Sequence, residues 1–279
     1  MSDACPSPMP LLDLRADLLR GAAPALRPLR PAEARVWWMP VPPPEETGPS
    51  DTEGGLPDHP VWSRLEALVS EDELERAWRF RFARDRMTYV AAHALGRLML
   101  SQATGLPTDH WRFTVEAHGK PEVISPDGGP RLRLNLSHTH GMVAAALTKT
   151  ADIGIDVEHF DRSSDIGLVA RRVFAEDECA VIFAGAESGH LPRFLRFWTL
   201  KEAYVKAIGK GLAQPLKRIS FDLGDRSLPP RMRLDGATDP APEWQFRQVL
   251  PGPGHVLALA RETVDPAAPV TLSEVTLGL

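Results

Sequence analysis

The sequence predicts an α+β protein built from two halves that meet near residue 150. Strand and helix signals come in blocks, namely a strand, a long helical stretch, several strands, further helices and then strands again. The chain has 279 residues, which is enough for one large domain or two of ordinary size. Its 43% hydrophobic and 25% charged residues are typical of globular proteins with a sizeable core.

Charge and cysteine content argue against several classes of protein. A net charge of −5 and a pI near 6.0 argue against a general nucleic-acid or membrane binder. Cys5 and Cys179 are too few for a disulfide framework or a metal knuckle, which indicates a reducing compartment. No apolar run reaches the roughly 20 residues that span a bilayer, and the N-terminus lacks a secretory pattern. We therefore expect a cytoplasmic protein.

Prolines are concentrated near the N-terminus and suggest where regular structure begins. Residues 1–33 resemble a weakly ordered extension, in which "LLDLRADLLR" favours a short helix. The stretch 40–58 is rich in proline and glycine and predicts a loop, whereas "ARVWWMPV" before it predicts a buried strand. We divide the chain into this extension, an N-terminal α+β half over 34–150 and a C-terminal α+β half over 151–279.

The first long helix is predicted from Ser70 to Gly105. Ser70 and Glu73 have the spacing of a capping box, and Gly105 is a typical C-terminal stop. Apolar residues expected to face the core recur at helical spacing; they are Leu74, Ala77, Trp78, Phe82, Val90, Ala94 and Leu98.

Strand signals follow this helix and return at the end of the chain. "WRFTVEAHGKPEV" predicts a strand and a turn, and "LRLNLSHTHG" predicts a strand with a polar end. "MVAAALTKTADIGIDVEHF" predicts a hairpin of two strands that turns near residues 149–152. Two helical stretches come next, "DIGLVARRVFAEDECAVIFAG" and "FWTLKEAYVKAIGKG", followed by strands at "RISFDL", "EWQFRQVL" and "HVLALARE".

The segment "IGIDVE" places two carboxylates on one strand face. Alternate side chains of a strand share a face, so Asp156 and Glu158 point the same way while the aliphatic residues between them point into the core. Gly154 lies on the carboxylate face and leaves room there. Neighbouring carboxylates repel unless a cation lies between them, and Mg²⁺ prefers such oxygen ligands. This motif alone, however, favours the alternative of two solvated carboxylates on an exposed face.

The helix "FWTLKEAYVKAIGKG" combines aromatic residues with charged ones. Glu202 and Lys206 are four residues apart and share a helix face, which alone is compatible with a weak surface ion pair. Lys201 widens the predicted charged strip and weakens that alternative, although spacing alone does not decide between an ion pair and a metal site. Glu202 would then complete a metal site with the two strand carboxylates, and Lys206 would balance the charge of a bound phosphate.

Three weaker signals accompany these motifs. Ser137 and His138 end a predicted strand, where they can donate hydrogen bonds to a phosphate or a ribose. His138 with His140 also suggests zinc, but the carboxylates select a harder metal. Lys120 lies on a rigid turn that presents its ammonium group outward. Four arginines form a basic stretch that is either a solvated face or an anion site; they are Arg76, Arg79, Arg84 and Arg86.

The order and spacing of these motifs resemble one known family. "GKPE" (119–122), "NLSHTHG" (135–141), "IGIDVE" (153–158) and "FWTLKEAYVKAIGKGL" (197–212) resemble the ordered signature of Sfp-type 4′-phosphopantetheinyl transferases. The resemblance covers residues 60–260. It implies a pseudo-dimer of two similar α+β halves, with the active site in the cleft between them.

The resemblance also implies an activity and its residues. Such enzymes move phosphopantetheine from coenzyme A to a serine of an apo acyl, peptidyl or aryl carrier protein, and they release adenosine 3′,5′-bisphosphate. Asp156, Glu158 and Glu202 would hold Mg²⁺, with Mn²⁺ as the alternative. Glu202 would orient or deprotonate the serine, and Lys206 would stabilise the leaving phosphate. By analogy the protein is expected to be a monomer that serves secondary metabolism.

Further positions are assigned by matching motifs. The residues expected to contact coenzyme A are Lys120, Ser137 and His138, with Arg76 and Arg79 on its phosphates. Basic residues of the segment that precedes the catalytic helix either contact an acidic carrier or keep the helices soluble; they are Arg171, Arg172, Arg193 and Arg196.

Two other functions stay open from the sequence. The same acids would serve a Mg²⁺-dependent phosphodiesterase or pyrophosphatase that hydrolyses coenzyme A without a carrier. A non-catalytic module that binds coenzyme A or a carrier is the second alternative, although every acid of the signature is present.

Overall fold

A computed structural model describes residues 11–13, 24–42, 56, 60–115, 121–125, 131–161, 165–211, 215–224, 229–235, 244–252 and 254–276. Helices and sheets are mixed along the chain, so the predicted α+β class is confirmed. In these ranges no helix combines the length and apolar character needed to cross a membrane.

The N-terminal half contains most of a five-stranded sheet with the order β1-β12-β2-β6-β5. Its strands are β1 (Leu11–Asp13), β2 (Ala34–Pro40), β5 (Arg133–Thr139), β6 (Met142–Thr148) and β12 (Val270–Thr276). The buried strand predicted around residues 34–40 is β2. The last strand, β12, returns to the N-terminal half and pairs in parallel with β2, a crossing that the sequence pattern did not reveal.

The helices of this half are α1 (Pro60–Glu66), α2 (Glu71–Trp78) and α3 (Ala83–Thr104), and β3 (Arg112–Val115) pairs with β4 (Pro121–Ile124). The predicted capping box of Ser70 and Glu73 begins α2, and Gly105, in the left-handed region at φ 79°, ends α3. Residues 24–33, assigned to the extension, contact this core, where the Arg27 N–H donates to the Gln102 carbonyl at 2.8 Å.

The long helix predicted over 70–105 is broken into α2 and α3. Phe82 has an extended backbone at the start of α3, and the Arg86 guanidinium stabilises the bend by donating to the Phe80 carbonyl at 2.7 Å. Because of this bend, Trp78 and Phe82 are 42% and 48% exposed, so the prediction that they face the core was wrong.

The C-terminal half has a three-stranded sheet with the order β10-β11-β7. Its elements are β7 (Ile153–His159), α4 (Ile166–Val173), α5 (Glu176–Ile182), α6 (His190–Ile208), β8 (Ile219–Asp222), β9 (Arg231–Leu234), β10 (Trp244–Val249) and β11 (His255–Glu262). The strands predicted at "RISFDL", "EWQFRQVL" and "HVLALARE" are β8, β10 and β11.

The predicted hairpin of β6 and β7 was wrong, although both strands exist. β6 pairs with β2 and β5, whereas β7 pairs with β11 in the other sheet. The cause is packing, because the aliphatic face of β7 forms a buried core with the opposing sheet. Ile153 and Ile155 lie in the same fully buried cluster as Val36 and Trp38.

Each half has the same plan, in which antiparallel strands are covered by one long helix. In the N-terminal half α3 packs on β5 and β6, and in the C-terminal half α6 packs on β7 and β11. This repetition agrees with the pseudo-dimer that the family resemblance implies.

Candidate functional site

The two halves meet where β5 lies beside β7, and side chains rather than a backbone ladder join these strands. The Ile155 N–H donates to Asn135 Oδ1 at 2.8 Å, and the Val157 N–H donates to Ser137 Oγ at 3.2 Å. Alternate residues of one strand therefore bind alternate amides of the other. The signature strand "NLS" of the N-terminal half is thereby joined to the signature strand "IGIDVE" of the C-terminal half.

Ser137 is buried in this seam, and its hydroxyl group is fully used by the protein. It accepts from the Val157 N–H at 3.2 Å and from Lys206 Nζ at 3.0 Å, and it donates to Asp156 Oδ1 at 3.1 Å. A serine hydroxyl offers one donor and two lone pairs. Ser137 therefore orients Asp156 and Lys206 in this structure, and its predicted hydrogen bond to a nucleotide stays a prediction.

Lys206 reaches the seam from α6. Its ammonium group donates to Asp156 Oδ1 at 2.6 Å and to the Ile155 carbonyl at 3.1 Å, in addition to Ser137. The three N–H bonds of the ammonium group are matched by three acceptors. The structure thus brings together three residues predicted separately from three motifs, Ser137, Asp156 and Lys206.

Gly154 allows α6 to approach β7 closely enough for this contact. A Cβ atom at position 154 would lie 2.0 Å from the Ala203 carbonyl oxygen and 2.5 Å from the Ala207 nitrogen. Both are backbone atoms of α6, so no side chain can give way. The space expected beside Gly154 is occupied by the helix itself, which corrects the prediction of room next to the carboxylates.

The three predicted metal ligands lie around this point. Asp156 is buried, and its Oδ2 atom accepts no hydrogen bond from the residues that the structure describes. Glu158 is half-buried, with Oε2 at 3.5 Å from the Thr139 hydroxyl, and the half-buried Glu202 lies one turn before Lys206 on α6. Carboxylate oxygens, one of them buried without a donor, fit the donor set of Mg²⁺.

These ligands do not form a ready-made cage. Over the described parts of the chain, no group of three or more His, Cys, Asp or Glu side chains is arranged to hold a metal ion. Lys206 already neutralises one oxygen of Asp156. Metal binding at Asp156, Glu158 and Glu202 consequently stays a prediction.

A cavity of about 820 Å³ opens beside the seam and has the size of a cofactor site. Its lining includes apolar residues, among them Val41, Phe80 and Met87, and polar residues such as His138 and Asp85. Desolvation, followed by the positive charge of Lys206, lowers the pKa of His138 and favours the neutral ring, although the side chain is exposed to solvent on one side. His138 therefore offers a hydrogen bond rather than a charge to a ligand.

The other residues predicted to contact coenzyme A do not line the cavity or are not described. Arg76 and Arg79 are exposed on and just after α2, and neither lines the cavity, whereas Arg84 does. The sequence analysis assigned Arg76 and Arg79 rather than Arg84 to the phosphates of coenzyme A, and this assignment stays a prediction. Lys120 lies outside the described residues.

Two basic residues predicted near the carrier surface have structural partners. Arg193 Nε donates to the Ile182 carbonyl at 3.0 Å, at the end of α5. Arg196 Nε donates to Gln248 Oε1 at 2.8 Å. Arg171 and Arg172 are exposed on α4.

Lys201 was placed incorrectly in the charged strip of α6. Its side chain is wholly buried and forms an ion pair with Glu178, with Nζ and Oε2 2.6 Å apart. The sequence pattern of a helix does not distinguish a buried lysine from an exposed one. Only the packing of α5 against α6 reveals this ion pair.

Both halves of the chain are similar to known proteins. Residues 56–150 match the family model "4′-phosphopantetheinyl transferase, N-terminal", and residues 152–260 match the "4′-phosphopantetheinyl transferase superfamily". The 4′-phosphopantetheinyl transferase HetI of Nostoc sp. is 32% identical over 196 residues, which cover 70% of this chain and 79% of that protein. A phosphopantetheinyl transferase of Thraustochytrium sp. is 32% identical over 220 residues, with 75% of each chain covered.

Solved structures match a smaller part of the chain. The holo-[acyl-carrier-protein] synthase of Thermotoga maritima has a TM-score of 0.34 and 19% identity, over 42% of this chain and 66% of that chain. The sequence matches span both halves and the residues of the seam. The chain therefore belongs to the 4′-phosphopantetheinyl transferase superfamily, whose members transfer phosphopantetheine to carrier proteins.

Proposed function

We propose that this enzyme takes phosphopantetheine from coenzyme A, in a Mg²⁺-dependent reaction, and releases adenosine 3′,5′-bisphosphate. The observation that carries the proposal is the contact of Lys206 with Asp156 and Ser137, beside a cavity lined by His138. A lysine, a carboxylate set and a neutral histidine next to a cofactor-sized cavity are suited to transfer of a phosphoryl-linked group.

The nucleotide part of coenzyme A would occupy the cavity. The apolar side chains of the lining suit the base, and His138 and Arg84 line the same cavity with groups that donate to phosphate oxygens. Arg76 and Arg79 are exposed and precede Arg84 in the sequence, and we propose that they contact the phosphates of coenzyme A. Lys120 is also a proposed contact of coenzyme A.

Asp156, Glu158 and Glu202 would hold Mg²⁺. The buried Oδ2 atom of Asp156, which takes no hydrogen bond from the described residues, supports this role. When bound, the metal would supply positive charge for the pyrophosphate of coenzyme A.

The chemical step needs a base and a counter-charge. The carrier serine oxygen forms a bond to the phosphorus of phosphopantetheine, and the bond from that phosphorus to adenosine bisphosphate breaks. Glu202 would accept the serine proton, directly or through water. Lys206 would exchange one of its present acceptors, Ser137 or the Ile155 carbonyl, for an oxygen of the leaving phosphate.

The carrier would approach along α4. Arg171 and Arg172 are exposed there, and Leu168 on the same helix is 63% exposed. An apolar side chain beside two cations suits an acidic carrier protein. Arg193 and Arg196 are half-buried and hydrogen-bonded within the protein, so we base the proposed surface on Arg171 and Arg172.

Intact-mass spectrometry of apo acyl and peptidyl carrier proteins tests the proposal. With coenzyme A and Mg²⁺ each carrier should gain one phosphopantetheine, and EDTA or a carrier whose acceptor serine is alanine should abolish the gain. Absence of any gain across carriers of several pathways, with coenzyme A bound but intact, would instead favour a binding module.

A further inference from the structure

We propose that Lys201 and Glu178 form a buried joint that positions Glu202 for the transfer step. The proposal rests on the proposed function, because it assigns Glu202 the role of base. Both side chains are 0% exposed, and Lys201 Nζ lies 2.6 Å from Glu178 Oε2. A buried ion pair is weak evidence for stability, since its desolvation cost offsets its attraction, so another role is sought.

The joint connects four elements through a single ammonium group. Besides Glu178 of α5, Lys201 Nζ donates to the carbonyl of Val173, the last residue of α4, at 3.0 Å. It also donates to the carbonyl of Leu216, in the turn before β8, at 2.9 Å. All three N–H bonds are therefore used, and none is available for a substrate.

Glu178 is held equally firmly. Its Oε1 atom accepts from the Phe221 N–H at 2.9 Å, and its Oε2 atom accepts from the Ala175 N–H at 2.9 Å. The acceptor that faces Lys201 cannot move without breaking backbone contacts of α5 and β8. The direction of the Lys201 side chain is consequently determined by its surroundings.

Successive helix residues point about 100° apart, so fixing Lys201 also fixes the direction of Glu202. The opposite side of α6 is held by the backbone contact of Ala203 with Gly154. Rotation of α6 is thus restrained from both sides. Because Val173 ends the helix that carries Arg171 and Arg172, the joint also links the proposed carrier surface to the base.

One double variant and one control variant test this role. Lys201→Met removes the ammonium group but leaves Glu178 buried and unpaired, so it is combined with Glu178→Gln, which keeps an acceptor for Phe221. Arg35→Met is the matched control, because Arg35 is another fully buried cation, hydrogen-bonded to Gln102 at 3.0 Å in the N-terminal half. Melting temperature, coenzyme A affinity by calorimetry, and kcat for carrier modification per folded molecule are measured for each.

We expect the double variant to bind coenzyme A within about twofold of the wild type while kcat falls roughly 10–100-fold, the size expected of a small misplacement of a catalytic group. Arg35→Met should lower the melting temperature but keep kcat. A double variant with wild-type kcat would overturn the proposal, as would equal losses of kcat in the control. If the wild type itself modifies no carrier, the proposed function fails, and that outcome is distinct from failure of the joint.

Discussion

Lys206 and Asp156 form an ion pair of 2.6 Å between α6 and β7, and the hydroxyl group of Ser137 contacts both members from the other half of the molecule. Lys206 is 28% exposed and Asp156 is 7% exposed, so the pair is partly shielded from water. The pair lies beside the seam at which the two repeated halves join. Stability of the seam and chemistry of the site therefore depend on the same atoms.

Replacing Lys206 should affect both properties. Lys206→Met leaves the buried carboxylate of Asp156 without its cation, and we expect a loss of about 2 kcal/mol in the free energy of unfolding, between exposed and fully buried pairs. Carrier modification should fall at least 100-fold, the scale of losing one preorganised charge contact. Urea unfolding and a carrier mass assay measure the two effects; Lys210→Met, an exposed lysine beyond the end of α6, is the control.

Gly154 tests how closely α6 must pack on β7. Gly154→Ala adds a methyl group that would overlap backbone atoms of Ala203 and Ala207, so overpacking should cost about 1–3 kcal/mol of stability. Gly167→Ala in α4 is the control, since its new Cβ would lie 3.3 Å from Asp165 Oδ1 and nearer to no other atom. A Gly154→Ala variant as stable as the wild type would show that the helix is not in tight contact.

Replacing Ser137 distinguishes a role in positioning Asp156 and Lys206 from a direct contact with coenzyme A. Ser137→Ala removes the acceptor of the Val157 N–H and of Lys206, so we expect kcat to fall about tenfold with little change in coenzyme A affinity. A nucleotide contact would give the reverse, a weaker affinity with kcat retained. Calorimetric titration with coenzyme A, next to a steady-state assay, separates the two results.

The lowered pKa of Glu73 predicts a loss of folding stability in acid. Burial alone would raise its pKa, but hydrogen bonds from His93 and Ser70, together with the charges of His93 and Arg97, outweigh burial and lower the pKa to about 2. The unfolded carboxyl group, with a pKa near 4.5, binds a proton first, so stability is fully present above that pH and is lost as pH falls towards 2.

The expected size of this loss is about 3 kcal/mol. Denaturant unfolding between pH 2.5 and 6 should show it in the wild type. Glu73→Gln should flatten this part of the profile, because it removes the titrating group. An unchanged slope in the variant would assign the acid sensitivity to other carboxylates.

Local patterns placed the candidate site residues on defined faces, but they did not reveal how the halves join. Strand alternation and helix spacing gave the faces of Asp156 and Lys206, because each depends only on near neighbours in sequence, and the family resemblance was needed to choose a site over solvated side chains. The seam could not be foreseen, since Asn135 and Ser137 bind backbone amides some 20 positions away. The burial of Lys201 likewise depends on α5, and the position of β12 depends on a partner strand more than 230 residues distant.

The predicted hairpin failed for a related reason. Two adjacent apolar strands with a short turn normally pair, but β7 gains more by pairing with β11 and burying its aliphatic face against β2 and β6. Long-range packing thus overrides the local turn signal.

The most direct test measures carrier modification and nucleotide release in one reaction. With wild-type enzyme, coenzyme A, Mg²⁺ and an apo carrier, we expect one adenosine 3′,5′-bisphosphate for each phosphopantetheine added. Neither product should form without the carrier or with Glu202→Gln, whose loss should be about 100-fold or more. Nucleotide release that is independent of the carrier would contradict the transferase account and identify a hydrolase that acts on coenzyme A.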